Sequence, residues 1–423
     1  MIRSMYSAVS GLRNHQTMMD VVGNNIANVN TSGFKSSNVV FQDVLSQTLR
    51  GAGAAGANVG GSNPAQIGLG SKVAGTTTNF SQGALQLTGR STDFAIEGDG
   101  FFVVNQGGQQ LYTRAGSFSP DSLGRLVTQS GAILQGWQAD AAGNVNTNAG
   151  IGQVVIPVGD IIAPTRTTSV QLGGNLPSDA EIGATIANSI EVYDGQGNPV
   201  TVRFEFTKTA ADAWTTTYRY VDAGGVLQPT PPAAGNAMTN GALTFGASGE
   251  LTSSYGLTIA GGTLPGFAAG NDITITLGAA GEPNRISQFG TLSTVTAIDQ
   301  DGSAAGTLES FSVGQDGLIV GSYTNGGNRV IGQIALASFA NPEGLEKAGG
   351  STYRPSINSG LAQLGVAGQG GRGLLAAGSV EMSNVDLAAE FTNLIVAQRG
   401  FQANSRVVTT SDELLQELVN IKR

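Results

Sequence analysis

The chain has 423 residues, of which 63 are Gly and 12% are charged, with a formal charge of −9, one His and no Cys. An acidic balance disfavours a nucleic-acid footprint, which needs a basic face, and the absence of Cys removes disulfides, thiolate zinc sites and thiol nucleophiles together. Gly stands at about twice its usual ~7% share and charge at about half its usual ~25%, so the chain reads as rich in turns and short of the apolar excess of one large α/β core.

From Ile2 to Val29 apolar residues recur at steps of three and four (Ile2, Met5, Val9, Leu12, Met19, Val22, Ile26, Val29), which predicts an amphipathic helix. Ser4 offers a capping hydroxyl near its start, and the run Asn24 to Asn30 before Thr31, Ser32 and Gly33 supplies residues that tolerate a left-handed exit. Met1 to Asp20 lacks the unbroken apolar core of a cleaved secretory signal, and no run reaches the ~18 apolar residues of a membrane span. These rules alone give a cytoplasmic default. A short apolar stretch (Val39, Val40, Phe41, Val44, Leu45) leads into Gly51 to Gly61, nearly all Gly and Ala, where Gly51, Gly53, Gly56, Gly60 and Gly61 read as a flexible hinge or linker.

From about Ala74 the period becomes two. Phe94 to Ile96, Phe101 to Val104, Leu126 to Val127 and Gly131 to Trp137 are short strands between turn residues. The clearest hairpin sets Ile190 and Val192 against Val202, Phe204 and Phe206 around Asp194-Gly195-Gln196-Gly197-Asn198-Pro199, and Trp214, Thr216, Tyr218 and Tyr220 continue the alternation. Ile273, Ile275 and Leu277 predict another strand. The last forty residues return to the helical period with Leu387, Phe391, Leu394, Phe401, Val408, Leu415 and Val419. Ser383 and Asp386 have capping-box spacing ahead of this stripe, acidic Asp386 and Glu390 open it, and Lys422 and Arg423 close it as a helix dipole prefers. A rod of roughly 55 Å at ~1.5 Å per residue calls for a partner along its length.

Catalytic constellations are thin. With His15 alone, in a helical stretch, no Ser-His-Asp triad or His-based metal site can be built elsewhere. The clusters Gly68-Leu69-Gly70 and Gly368 to Gly373 do not sit between a strand and a helix and read as turns, and Asp299-Gln300-Asp301-Gly302 places its Gly too early for a calcium loop and reads as a β-turn. No cofactor, metal or enzymatic activity is expected. The terminal stripes instead point to association: Met5, Val9, Leu12, Met19, Val22 and Ile26 with Leu387, Phe391, Leu394, Phe401, Val408, Leu415 and Val419 are the expected subunit-assembly residues.

Ser7 to Leu12 (SAVSGL), Gly23 to Phe34 (GNNIANVNTSGF), Asp93 to Val104 (DFAIEGDGFFVV), Tyr112 to Phe118 (YTRAGSF) and Ser383 to Arg406 (SNVDLAAEFTNLIVAQRGFQANSR) resemble the bacterial flagellar axial proteins, and among them the flagellar hook family. With Gln288 to Gly302 and Gly332 to Leu345, the resemblance covers well over half the chain. It implies a homo-polymer of many copies, exported without a cleaved signal through the flagellar export apparatus to an extracellular hook. Distal rod, hook cap and hook-filament junction proteins would be its partners, with no nucleic acid and no membrane insertion. A β insert as large as residues 145–283 argues for the hook over the distal rod, while the length of Gln47 to Gly68 approaches rod proteins. A secreted β-rich adhesin is the alternative from another class.

The expected fold class is α+β. N- and C-terminal helices form a coiled-coil-like element, with two nested all-β, sandwich- or barrel-like domains between them. The expected division is 1–34 with 380–423 as the helical assembly domain, 35–75 with 360–379 as connector, 76–144 with 284–359 as the first β domain, and 145–283 as the inserted outer β domain.

Overall fold

A computed structural model describes residues 2–54, 60–222, 224–228, 237–278, 282 and 284–421. Two helices flank a mostly β chain: α1 spans Ile2–Ala27 and α2 spans Leu387–Ile421. The chain divides into one unit of Met1–Pro157, Phe311–Val320 and Arg329–Arg423 and a second of Val158–Ser310 with Gly321–Asn328. The second unit thus returns to the first near residue 310 rather than 283. The reason is strand pairing, because Ile286–Phe289 runs parallel to Ser169–Pro177 and Thr296–Gln300 runs antiparallel to the same strand.

In the first unit α1 already runs from Ile2, so Ser4 lies inside its first turn and not at a cap. Its exit is built by Asn side chains and not by the left-handed Asn backbone expected, since none of Asn24 to Asn30 has positive φ: Asn28 Nδ2 donates to the Asn24 carbonyl at 2.9 Å and Thr31 Oγ1 to Asn28 Oδ1 at 3.1 Å. Gly33 follows at φ +68°, and a Cβ there would stand 2.6 Å from Ala115 Cα, so backbone approach and left-handed geometry both require glycine. The cap of α2 differs from the expected box. Asp386 Oδ1 accepts from the Ala388 and Ala389 N–H groups at 2.8 and 3.2 Å, whereas Ser383 Oγ accepts from the Val385 N–H at 3.4 Å, two residues too early. The chain cannot turn helical sooner, because Asn384 is stretched between the Ser36 N–H and the Asn79 carbonyl, each at 2.8 Å. Lys422 and Arg423 lie outside the described residues.

The expected linker is ordered at its described part. Ser37–Asp43 pairs antiparallel with Ser71–Thr78, and Ser46–Arg50 with Ala65–Gly68. Gly53 and Ser62 then exchange N–H···O bonds of 2.9 and 3.0 Å. This is a two-stranded ribbon whose tip carries the exposed Gly51, Gly53, Gly60 and Gly61; Gly56 lies outside the described residues. The ribbon lies along α1, with Arg3 Nη1 donating to Gln47 Oε1 at 2.6 Å and Asn14 Nδ2 to Ser71 Oγ at 2.7 Å. Gly365 to Gly373 is likewise pinned: the Gly373 N–H bonds the Asp99 carbonyl at 2.6 Å and the Gly368 N–H the Gly373 carbonyl at 3.0 Å.

The β body of the first unit centres on the hairpin Phe101–Gln106 and Gln109–Thr113, turned through Gly107 and Gly108 with φ of +59° and +85°. Phe101, Tyr112, Trp137, Phe339 and Tyr353 fill its core, with edge-on rings such as Tyr112 and Phe339 at 4.8 Å between centroids.

The second unit holds the hairpin read from sequence, Thr185–Tyr193 against Pro199–Ala210 with Ile190 opposite Val202, continued by Ala213–Val221. Val202, Phe204, Phe206 and Trp214 are fully buried on one face, as strict alternation dictates. Asp301, expected in a plain turn, instead accepts the Thr168 and Ser169 N–H groups at 2.8 and 2.9 Å and so ties the end of one strand to the start of another. Tight turns in both units share one device. Asp121, Asp140, Asp194 and Asp222 each accept the N–H groups two and four residues on at 2.8 to 3.0 Å, and a glycine with positive φ stands third in each.

At Asp194 burial pushes the carboxyl up, yet the Asn198 side chain and the backbone N–H groups outweigh it and hold the pKa below its ordinary value of 3.8. This contribution is therefore present above pH 3.8 and lost as pH falls through the lowered folded pKa. Asp194→Ala is expected to cost about 1–3 kcal/mol at neutral pH. Urea unfolding should show the gap between variant and parent closing as pH is lowered; a gap independent of pH would refute the role of the carboxylate.

Candidate assembly site

α1 and α2 pack antiparallel. Gly11 faces Asn404, His15 faces Gly400 and Asn25 bonds Glu390, so equal steps up one helix match equal steps down the other. The side chains buried on the facing sides of the pair are mostly small or polar, Ala8, Val22 and Asn25 on α1 and Glu390, Ala397 and Ser411 on α2, while Asn14 is buried against the ribbon. A Cβ on Gly11 would lie 2.8 Å from the Asn404 amide, and a Cβ on Gly400 would enter the His15 ring, so each glycine admits a large side chain from the other helix. Gly400, read in the sequence as a place of close approach, is met by α1 of its own chain.

The expected assembly residues divide between two environments. Val22 is buried, and Met5, Val9, Leu12, Met19 and Ile26 of α1 with Leu394, Val408 and Leu415 of α2 are half-buried. Leu387, Phe391, Phe401 and Val419 are exposed, Phe391 by 50%. Ile395, Val396, Val407 and Leu414 are exposed too, although periodicity did not single them out. At about 3.6 residues per turn, Leu387, Phe391, Phe401 and Val419 fall on one side of the seam, Val396, Val407 and Leu414 on the other, and Ile395 opposite it. Both flanks of α2 are therefore apolar and uncovered. By the same register the last turns of α2 extend beyond the start of α1 by about 12 Å at ~1.5 Å per residue.

The base of this pair is a buried polar cluster that sequence reasoning did not find. Lys35 and Glu381, both with fully buried side chains, form an ion pair of 2.6 Å, and Arg114 reaches the other Glu381 oxygen at 3.4 Å. Lys35 Nζ also donates to the Ser81 carbonyl at 2.7 Å, and the Gly83 N–H to Glu381 Oε1 at 2.8 Å. Burial pushes the Lys35 ammonium below its ordinary range while the hydrogen bond and charge of Glu381 oppose the shift; Arg114 is lowered by burial and supported by Glu381 and Asp99. Next to the cluster, Asn25 donates to the Ser37 carbonyl at 2.8 Å and accepts its N–H at 3.1 Å, fixing the helix to the ribbon. The cue available in the sequence was a charged residue inside the otherwise uncharged GNNIANVNTSGFKSS run, though its partner lies 346 residues away.

Among the described residues no group of His, Cys, Asp and Glu could hold a metal ion, and no helix is long and apolar enough to cross a membrane. What the arrangement offers is surface: a braced helix pair with uncovered apolar flanks.

Removing one member of a buried ion pair leaves the other uncompensated, so Lys35→Met is expected to cost about 3–5 kcal/mol in urea unfolding of the first unit. A change under ~1 kcal/mol would show the cluster to be incidental. Gly400→Ala should lower the melting temperature despite the ~1 kcal/mol that Ala gains in a helix. Adding His15→Ala should restore it; failure of that rescue would reject the seam register.

Four family models match in chain order: "Flagella basal body rod protein" at residues 5–35, "Flagellar hook protein FlgE/F/G D1 domain" at 95–175, "Flagellar basal body protein FlaE D2 domain" at 167–303, and "Flagellar basal body rod FlgEFG protein C-terminal" at 376–421. The chain is 40% identical to the flagellar hook protein FlgE of Treponema pallidum over 465 aligned residues, covering 100% of both chains. It is 33% identical to the flagellar basal-body rod protein FlgG of Bacillus subtilis over 424 residues, again 100% of both. A rod-named relative of matching extent means that the size of the insert does not by itself separate hook from rod. The crystal structure of Helicobacter pylori flagellar hook protein FlgE2 shares the fold, with a TM-score of 0.52 at 15% identity over 69% of this chain and 98% of that one. Full-length identity to hook proteins, with hook and rod family models at both ends and in the middle, places this chain in the flagellar hook protein family.

Proposed function

We propose that the chain is the structural subunit of the bacterial flagellar hook, self-assembling into a curved, flexible tube that passes motor torque to the filament as a universal joint. Full-length similarity at 40% identity to a named hook protein carries the reading, and a long terminal helix with apolar side chains uncovered on both flanks supports it. The subunit is structural and not enzymatic, and it works in the bacterial flagellum. A secreted adhesin is set aside by family membership over the whole chain.

In this reading the helical ends, 1–34 with 380–423, form a coiled-coil-like inner element. Residues 35–75 with 360–379 connect it to nested outer β domains. Each α2 has a neighbour to meet on either side, which suits a ring or helix of copies better than a closed dimer. Burying the exposed part of the eight apolar side chains on its flanks is worth on the order of 5–10 kcal/mol per copy. The assembly residues are then Met5, Val9, Leu12, Met19, Val22, Ile26, Leu387, Phe391, Leu394, Phe401, Val408, Leu415 and Val419. Half-buried members brace the pair and exposed members make the contacts between copies. Surfaces poor in charge give the outer domains weak, exchangeable contacts, as sliding requires. The segment holding Gly51, Gly53, Gly56, Gly60 and Gly61 serves as the pliant joint. Distal rod, cap and hook-filament junction proteins are the partners along the axis, reached through the flagellar export apparatus.

The rod-named relative favours a second reading, a distal rod subunit. Electron microscopy of purified, seeded protein distinguishes the two: curved tubes are expected of a hook and straight ones of a rod. Phe391→Ser with Val396→Ser should abolish tubes while the circular dichroism of the β units is unchanged. Tubes of normal length from this variant would remove the flanks of α2 from the assembly surface.

A further inference from the structure

The sequence contains two Asn-Gly pairs, Asn240-Gly241 and Asn325-Gly326, and the fold treats them oppositely. Asn-Gly is the dipeptide in which the following backbone nitrogen most easily attacks the side-chain amide, because glycine has no Cβ to block the approach. Whether it does so in a folded chain depends on how firmly the amide and that nitrogen are held.

Asn325 is held at every relevant atom. Its Nδ2 donates to the Ala304 carbonyl at 2.9 Å, its Oδ1 accepts the Gly327 N–H at 3.0 Å, and the nucleophile, the Gly326 nitrogen, is committed to the Tyr323 carbonyl at 2.9 Å. Its side chain also packs on Gly306, where a Cβ would lie 2.6 Å from Asn325 Cγ. Cyclisation there must break three hydrogen bonds.

Asn240 is exposed, and among the described residues its amide makes one contact at the limit of a hydrogen bond, 3.5 Å to the Gly256 carbonyl. It stands at φ +61°, a left-handed conformation that costs a non-glycine residue energy. The pairing with the neighbouring strand is also broken at this point: Thr215 faces Ala242 and Thr217 faces Ala237, so the residues between them, Asn240 and Gly241 included, bulge out of register opposite Thr216. Gly241 is buried beside the Thr216 carbonyl, so what sets this pair apart from Asn325 is the strain and the nearly free amide of Asn240 and not an exposed nitrogen.

We propose that Asn240 is a site of spontaneous deamidation, and that Asn325 is protected by the fold. The Gly241 nitrogen gives up its proton and bonds to Asn240 Cγ, the bond from Cγ to the amide nitrogen breaks, and ammonia leaves with that proton, closing a five-membered succinimide. Water then opens the ring. Cleavage at the side-chain carbonyl gives aspartate, and cleavage at the backbone carbonyl gives isoaspartate with the chain rerouted through the β carbon. No electrons are exchanged and no cofactor is needed. Each event adds one carboxylate to an uncharged stretch of the second unit, so a long-lived extracellular polymer would acquire negative charge with age. That consequence rests on the hook reading, but the chemistry does not.

The test is incubation of the purified full-length chain at mildly alkaline pH, followed by trypsin digestion and mass spectrometry, with isoaspartate detected by enzymatic methylation. Cleavage after Arg219, Arg285 and Arg329 places the two asparagines on separate peptides. The peptide containing Asn240 should convert at least several-fold faster than the one containing Asn325, and both should convert at similar rates when the chain is held in urea. Asn240→Gly, which suits the positive φ and keeps the fold, should abolish the signal from its peptide. Equal rates in the folded chain, or the same disparity in urea as in buffer, would overturn the proposal.

Discussion

A lysine and a glutamate without access to water hold the two ends of this chain together. Lys35 follows α1, Glu381 precedes α2, and their 2.6 Å contact, shared with Arg114 from the β body, joins three segments far apart in sequence. Burying charges is expensive, and a cluster of this kind is retained for the geometry it enforces rather than for net stability. Here it sets where each helix leaves the β body. Gly33 and Asn384 serve the same end, one by allowing backbone contact with Ala115 and the other by delaying the start of α2 until Asp386 can cap it.

From that base the helices run antiparallel, and the side chains fully buried between them are mostly small or polar. Gly11 makes room for Asn404, Gly400 makes room for His15, and Asn25 bonds Glu390, while larger apolar side chains are displaced onto both flanks of α2. A pair built in this way is aligned by polar contacts and leaves apolar surface uncovered.

The helices were legible because a 3.6-residue period survives over many turns, and the hairpin of Thr185–Tyr193 and Pro199–Ala210 because strict alternation leaves one reading. Other features were hidden for physical reasons. The ribbon was invisible because backbone pairing between Gly53 and Ser62 needs no side-chain signal. The far boundary of the second unit depends on the parallel pairing of Ser169–Pro177 with Ile286–Phe289, a contact over a distance that local pattern cannot report. The stripe residues were correctly found as apolar, yet periodicity could not tell which of them, Leu394 or Phe391, turns toward the seam, because the seam itself is made by Ala397, Gly400 and Asn404.

The central claim is that the base is fixed in the single chain while the flanks of α2 gain their shelter only from other copies. Amide hydrogen exchange on monomer and on assembled tubes measures this directly. The account predicts protection at Gly33 to Ser37 and Val380 to Met382 in both states, and fast exchange over Leu414 to Ile421, the turns beyond the start of α1, in the monomer that slows greatly in tubes. Full protection of α2 in the monomer, or an unprotected base in either state, would contradict it.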